Sequence, residues 1–164
     1  MEVQIVFREM RRFKQQVSEE ECKRILREEK RAAFSVIGDY GYPYTVPVDF
    51  YYDEDDNCIY IHGAKSGHKI DAIKNCDKVC LTTWNQGYKT EGHWEWNSTS
   101  VVVFGRARFL DDREFWEDKL RKLTMKYYPS EEEVEVEMKA PPVNVVQMIA
   151  IDIEHMTGKL VNEK

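Results

Sequence analysis

The segment 62–69, HGAKSGHK, gathers the residues of this chain best suited to hold an anion. Gly63 and Gly67 would let a ligand approach the backbone closely, and Ser66 offers a hydroxyl group and a candidate helix cap. Three basic side chains lie in the same segment: Lys65, His68 and Lys69. A helix starting here would add unpaired amides and the positive end of its dipole, a combination that favours a phosphate group.

The spacing of this segment matches no standard phosphate-binding motif. It lacks the G-x-x-x-x-G-K-[ST] pattern of the P-loop and the G-x-G-x-x-G pattern of dinucleotide-binding folds. Gly, Ser and Lys are also common in ordinary connections between a strand and a helix. A polar loop without a ligand therefore stays open as the alternative.

The composition narrows the class of partner. The chain has 164 residues, with 24 Lys and Arg against 30 Asp and Glu, which gives a net charge of −6. The hydrophobic content of 42% suits a single globular domain over residues 1–164. An acidic chain is a poor match for nucleic acid or an anionic membrane surface, and its apolar runs are far shorter than the roughly 20 residues of a membrane span. We therefore expect a small-molecule ligand.

The cysteines indicate a reducing compartment. The amino terminus has no apolar stretch of the length found in secretion signals, so we expect a cytoplasmic protein with unpaired thiols. Cys76 and Cys80 have no second Cys or His pair at the distance of a zinc ribbon. No metal site is predicted.

Three helices are predicted around the anion-binding segment. Ser18 and Glu21 have the spacing of a capping box, which predicts a helix that runs to about Lys30. A short second helix follows the segment, and a third begins at Asp111 or Asp112 and ends before Pro129. The acidic stretch 131–138 is interpreted as a solvated surface connection, because its like charges repel one another.

Period-two patterns predict six β-strands, at 32–37, 44–52, 58–62, 78–84, 99–110 and 145–154. Gly-, Pro- and Asp-rich turns separate the early strands and favour antiparallel hairpins. Because closure removes exposed strand edges, we expect a closed or partly split antiparallel barrel with peripheral helices. The fold class is β-rich α+β.

Three segments in this order resemble a known family: GYPYTVPVDF at 41–50, CIYIHGAKSGHK at 58–69 and VVVFGRARFLDD at 101–112. They are similar to the FMN-binding split-barrel proteins related to pyridoxamine 5'-phosphate oxidase, especially the nitroimidazole-resistance branch. The similarity extends from about Met10 to the last strand. It implies a six-stranded antiparallel split barrel and a homodimer with FMN at the subunit interface.

The resemblance also implies site residues. The strand-to-helix segment would hold the FMN phosphate, with these neighbours: Gly63, Ala64, Lys65, Ser66, His68 and Lys69. The isoalloxazine ring would run beside Val46, Pro47, Val48 and Asp49. Pro47 cannot donate to a β-ladder, so the strand is interrupted where its backbone could face a ring, although an ordinary edge-strand proline is the alternative.

His62 and Trp84 complete the candidate site. His62 alternates with the inward residues of its strand and could face the pocket as a hydrogen-bond donor or catalytic proton donor. The alternative for His62 is a structural hydrogen bond to the backbone or to a dimer partner. Trp84 opens an aromatic region that continues to Trp96, whose rings could stack on a flavin or pack a dimer interface.

The sequence departs from the oxidase itself in two respects that bear on function. The oxidase usually has an Arg-Lys pair directly after the serine, whereas Ser66 is followed by Gly67, His68 and Lys69, and the final strand has no second basic cluster for a substrate phosphate. We therefore expect an FMN-dependent oxidoreductase that reduces a small electrophile such as a nitroimidazole, rather than oxidation of vitamin B6. The alternative is a flavin-, haem- or other small-ligand-binding protein without turnover.

Overall fold

The computed structural model describes residues 6–128, 130–139 and 145–162. Within these ranges the helices are α1 (Glu19–Glu28), α2 (His68–Asn75), α3 (Arg113–Met125) and α4 (Glu131–Lys139). The strands are β1 (Arg31–Ile37), β2 (Pro43–Asp49), β3 (Tyr51–Asp53), β4 (Cys58–Ala64), β5 (Lys78–Trp84), β6 (Tyr88–Lys89), β7 (Trp96–Phe109) and β8 (Val146–Asn162). None of the described helices is both long and apolar enough to cross a membrane.

All strands pair antiparallel in one curled sheet with the order β2-β1-β5-β7-β8-β4-β3, and β6 pairs with β7. The curl brings β2, at one edge of the sheet, into contact with β4 near the other edge. This is the predicted β-rich split barrel. The count of six strands was too low, because the predicted strand 44–52 is divided at Phe50 into β2 and β3 and because β6 is added.

Alternation along the predicted period-two strands divides the described interior into two clusters. Ile59 and Ile61 of β4 point into the main core, together with Phe34 of β1 and Val48 of β2. Tyr60 points to the opposite face of β4 and joins a second cluster beneath α3. The site elements are therefore anchored from both faces of β4.

The helix caps explain where two of the helices begin. The Ser18 hydroxyl accepts a hydrogen bond from the Glu21 amide at 3.2 Å, as expected, and α1 ends two residues before the predicted Lys30. The Asp112 carboxylate accepts from the Phe115 amide at 3.0 Å and starts α3. Pro129 lies outside the described residues.

The interpretation of residues 131–138 as a surface connection was wrong, since they form α4. The Ser130 hydroxyl caps this helix by accepting from the Glu133 amide at 3.3 Å, and glutamates in the first turn interact favourably with the helix dipole. Val134 is buried, and an Arg121–Glu135 ion pair of 2.5 Å joins α4 to α3. A cap and one apolar anchor therefore outweigh the repulsion between like charges.

A buried ion cluster fastens α3 to the β3–β4 hairpin. Lys119 is only 4% exposed, and its ammonium donates to Asp53 at 2.8 Å and to Asp56. It also lies 5.0 Å from the ring centroids of Tyr60 and Phe115. Burial by itself lowers the pKa of Lys119, but the two carboxylate partners outweigh it, so the pKa is raised overall. Lys119 thus stays charged in the interior.

Replacing Lys119 with methionine removes this charge while keeping most of the side-chain volume. We expect Lys119→Met to lower the free energy of unfolding by about 3 kcal/mol, because the buried Asp53 carboxylate loses its closest cation. Addition of Asp53→Asn should recover part of the loss. Urea denaturation measures both effects. The control is Arg113→Met at an exposed position, which should lower the free energy of unfolding by less than about 0.5 kcal/mol. An equally small loss for Lys119→Met would contradict a stabilising role for Lys119.

Candidate functional site

β4 leads into α2 through a turn at residues 65–67. The N-cap of α2 is Gly67 and not Ser66, whose side chain makes no cap hydrogen bond, so that part of the sequence prediction was wrong. Gly67 has φ +122°, a conformation that favours glycine over other residues. Its carbonyl accepts from the amides of Ile70 at 2.9 Å and Asp71 at 3.1 Å. The amides at the very start of the helix thus lie outside its internal ladder, as at any helix N-terminus.

Lys69 folds back over the end of β4. Its ammonium lies 2.8 Å from the position that a Cβ atom on Gly63 would occupy, so the missing side chain at residue 63 makes room for the charge. The side chain is partly buried, and this burial lowers the pKa of Lys69. Among the described residues, no carboxylate or carbonyl pairs with the ammonium. A partly buried cation without a partner is a strong candidate for binding an anion.

A groove of about 290 Å³ surrounds this ammonium where β2 meets β4, lined by Arg31, Pro47, Val48, Asp49, His62 and Lys69. We call it the cation groove. Arg31 and Asp49 are opposite each other in the β1–β2 register and form an ion pair, Nε to Oδ1, of 3.4 Å. The Arg31 side chain is 79% exposed and adds a second positive charge to the groove. Sequence reasoning missed Arg31 because β1 was predicted to begin at Ala32.

His62 stands at the mouth of the cation groove. Its ring remains accessible, yet the surrounding walls remove enough water to lower its pKa below 6.5. Lys69 lowers the pKa further, and Asp49 opposes the shift. The imidazole is therefore neutral at pH 7. The described residues offer it no hydrogen bond, so within this part of the chain the structural hydrogen bond considered as an alternative is not formed.

The His68 side chain turns away from this groove. Its ring stacks on Tyr44 with a centroid distance of 4.1 Å, and its Nε2 atom accepts from the Asp39 amide at 3.2 Å. The imidazole thus fastens α2 to the turn after β1. The backbone amide of His68 is then the group of this residue that faces the start of the helix. Three other residues of the predicted phosphate segment are exposed: Ala64 at the end of β4, and Lys65 and Ser66 on the turn.

A second groove of about 530 Å³ continues along the edge strand β2. Val46, Pro47 and Trp84 line it, and Trp84 is 57% exposed. Arg31 and Pro47 line both grooves, so the two run into each other. We call this second one the Trp84 groove. The structure therefore brings together predicted residues that are far apart in the sequence. Val46, Pro47 and Trp84 give the joined grooves an apolar surface, and Lys69 gives them a cationic end.

Tyr127, two residues after the end of α3, holds this arrangement in place. The Tyr127 hydroxyl accepts from the Phe50 amide at 2.8 Å and donates to the Lys30 carbonyl at 2.5 Å. These two residues directly adjoin Asp49 and Arg31, so Tyr127 fixes both ends of the ion pair. Burial raises the pKa of Tyr127 to about 12 and keeps the hydroxyl protonated. The sequence pattern placed Tyr127 within the predicted third helix and gave it no role in the site.

Residues 18–160 match the family model described as pyridoxamine 5'-phosphate oxidase. The chain belongs to this family. The match covers the cation groove, the Trp84 groove and the strands that form them. A comparison with curated proteins gives no match.

Solved structures share the fold at low identity. A Bacteroides thetaiotaomicron protein provisionally assigned to 5-nitroimidazole antibiotic resistance is 21% identical, with a TM-score of 0.78 over 90% of this chain and 87% of that one. The flavocytochrome Anf3 of Azotobacter vinelandii is 21% identical, with a TM-score of 0.74 over 93% and 72%. An FAD- and haem-binding protein of Mycobacterium smegmatis is 18% identical, with a TM-score of 0.70 over 89% and 73%. These likenesses show a common fold.

The neighbours of His62 give a testable pattern of pKa changes. In the protein alone we expect a His62 pKa below 6.5, raised by Lys69→Met and lowered further by Asp49→Asn. NMR titration of the imidazole resonances, assigned with His62→Gln, measures these shifts. Because the folded state lowers this pKa, its contribution to stability is complete above the unfolded value near 6.5 and is lost as the pH falls through the folded value. An unshifted pKa would show that the groove walls do not desolvate the ring.

Proposed function

We propose that this protein binds a flavin, specifically FMN, along the two joined grooves. Lys69 and Arg31, with the first amides of α2, would hold the phosphate in the cation groove. The Trp84 groove would take the flat ring system beside Val46 and Pro47. The names of the neighbouring structures, a flavocytochrome and an FAD- and haem-binding protein, support a flavin ligand.

The observation that carries this proposal is the unpaired ammonium of Lys69. A partly buried lysine normally has a counter-ion, and here the described residues supply none. The apolar surface of Trp84 begins where the cation groove ends, so one ligand with a flat body and an anionic tail would satisfy both. FMN has this chemistry, and its phosphate also suits a helix N-terminus.

We further propose that the protein is an oxidoreductase acting on a small electrophile such as a nitroimidazole. A bound flavin supplies the electron transfer. His62 would stay neutral beside it and could donate a hydrogen bond from its remaining N–H group to the substrate. The neighbour assigned to 5-nitroimidazole resistance supports this substrate class. A homodimer that closes the site and a cytoplasmic location also belong to this proposal.

A binding protein without turnover is the second candidate. It is favoured by the flavocytochrome and by the FAD- and haem-binding protein among the structural neighbours, which combine the fold with other redox groups. Such a protein would use the same apolar surface for a planar ligand and would not need His62.

The phosphate assignment can be tested by comparing FMN with riboflavin, which lacks the phosphate. We expect Lys69→Met to weaken FMN binding by about 1–3 kcal/mol and to leave riboflavin binding nearly unchanged. Fluorescence titration of the flavin measures both affinities. Lys74→Met, an exposed residue of the same helix, is the matched control. Equal losses for both flavins would place the phosphate away from Lys69, and a tighter complex with FAD would overturn the choice of FMN.

The reaction can be tested by spectroscopy on the purified protein. We expect flavin absorption bands and, after anaerobic reduction, rapid reoxidation on mixing with a nitroimidazole. His62→Gln should slow this reoxidation without abolishing flavin binding, because its proposed role is toward the substrate. Flavin bands without reoxidation would favour the binding protein, and an intense Soret band would favour haem. A colourless protein that takes up no added FMN would reject the flavin proposal.

A further inference from the structure

A third cavity, of about 260 Å³, lies on the far side of His62 from Lys69. Its apolar walls come from α3, α4 and the start of β8: Leu120, Leu123, Met138 and Val146. We call it the α3–α4 cavity. Its volume is slightly below the range of roughly 300–1,000 Å³ for drug-sized ligands, so it suits a molecule built on a single ring.

The α3–α4 cavity adjoins the cation groove but has the opposite charge. Asp49 and His62 line both spaces and form the boundary between them. On the cation-groove side the charged neighbours include Arg31 and Lys69. On the α3–α4 side the described lining residues include the carboxylates of Asp49, which is paired with Arg31, and Glu137, and neither lysine nor arginine. An anionic ligand would therefore be repelled from this cavity, and a cationic one attracted.

The polar groups of the α3–α4 cavity are mainly hydrogen-bond acceptors. The Thr124 hydroxyl already donates to the Leu120 carbonyl at 2.8 Å, and the Tyr127 hydroxyl donates to the Lys30 carbonyl. The Tyr128 hydroxyl is hydrogen-bonded to Glu137, and this bond raises the pKa of Tyr128. The carboxylates and a neutral imidazole nitrogen keep acceptor capacity. A fitting ligand should therefore bring donors and a positive charge.

We propose that the α3–α4 cavity binds a small organic cation with an apolar body, a single-ring electrophile that carries a protonated amine, as the substrate of the adjoining site. The ring would pack on Leu123 and Met138, and the ammonium would lie near Asp49 and Glu137. The role as substrate rests on the proposed flavin function, whereas binding of the amine follows from the cavity itself.

Three probes with the same ring and different charges test this inference: benzylamine, benzyl alcohol and benzoate. Calorimetric titration of the purified protein at pH 7 should rank benzylamine first, about tenfold tighter than benzyl alcohol, the gain expected of one charge-assisted hydrogen bond. Benzoate should not bind detectably. Equal affinities, or a preference for benzoate, would overturn the proposal.

Matched variants locate the binding. Glu137→Gln should reduce the preference for benzylamine over benzyl alcohol several-fold, because it removes one carboxylate from the cavity. Glu135→Gln removes the same charge from the same helix, where Glu135 pairs with Arg121, and should leave the preference unchanged. Met138→Trp should fill the cavity and abolish binding of both probes, with the urea midpoint checked to confirm folding. Wild-type benzylamine affinity in this variant would place the amine elsewhere.

Titration of the same samples with FMN separates this inference from the proposed function. Binding of FMN without selectivity for the amine would overturn the α3–α4 cavity as an amine site and leave the flavin proposal intact. Selectivity for the amine without any uptake of flavin would support the cavity and overturn its role as the substrate pocket of a flavoprotein.

Discussion

The candidate site depends on a positive charge that the described part of the chain does not neutralise. Removing an ammonium from water costs free energy, and most partly buried lysines regain it through a carboxylate or several carbonyls. Lys119 is the example within this protein, since Asp53 and Asp56 surround it. Lys69 has no such partner among the described residues. The two lysines thus show the difference between a charge that stabilises the fold and one that is available to a ligand.

The architecture that exposes Lys69 is a consequence of the split sheet. Antiparallel pairing accounts for every strand, and the curl leaves β2 and β4 in contact without a shared ladder. We call this contact between β2 and β4 the seam. A fully closed barrel would fill the seam with backbone hydrogen bonds. Here the seam instead contains Pro47, which has no amide proton to donate, and Gly63, whose missing side chain admits the lysine. The groove is therefore the space that an unclosed barrel leaves between its edges.

The sequence predicted the local features well and the distant contacts poorly. Period-two alternation identified the inward residues Ile59 and Ile61, and a capping box located α1, because both depend on neighbours in the chain. Arg31 was missed since its role arises from the register with Asp49, and the His68 ring stacks on a strand 24 residues earlier in the chain. α4 was missed because its Ser130 cap and Val134 anchor were outweighed by the count of glutamates. For Val46 and Pro47, the predicted place beside a flavin ring came from the family resemblance, because composition and spacing alone do not identify a ring-binding strand.

His62 gains its position from both sides of the seam. In the cation groove it faces Asp49 of β2 and Lys69 of α2, whose opposite charges act on its pKa in opposite directions, and toward α3 and α4 it faces a mainly apolar wall. Burial determines the net direction and keeps the ring uncharged near pH 7. A charged imidazole would disturb either neighbouring space, repelling Lys69 on one side and pairing with the carboxylates on the other. A neutral ring instead separates a space suited to anions from one suited to cations, and this separation follows from desolvation by the two walls.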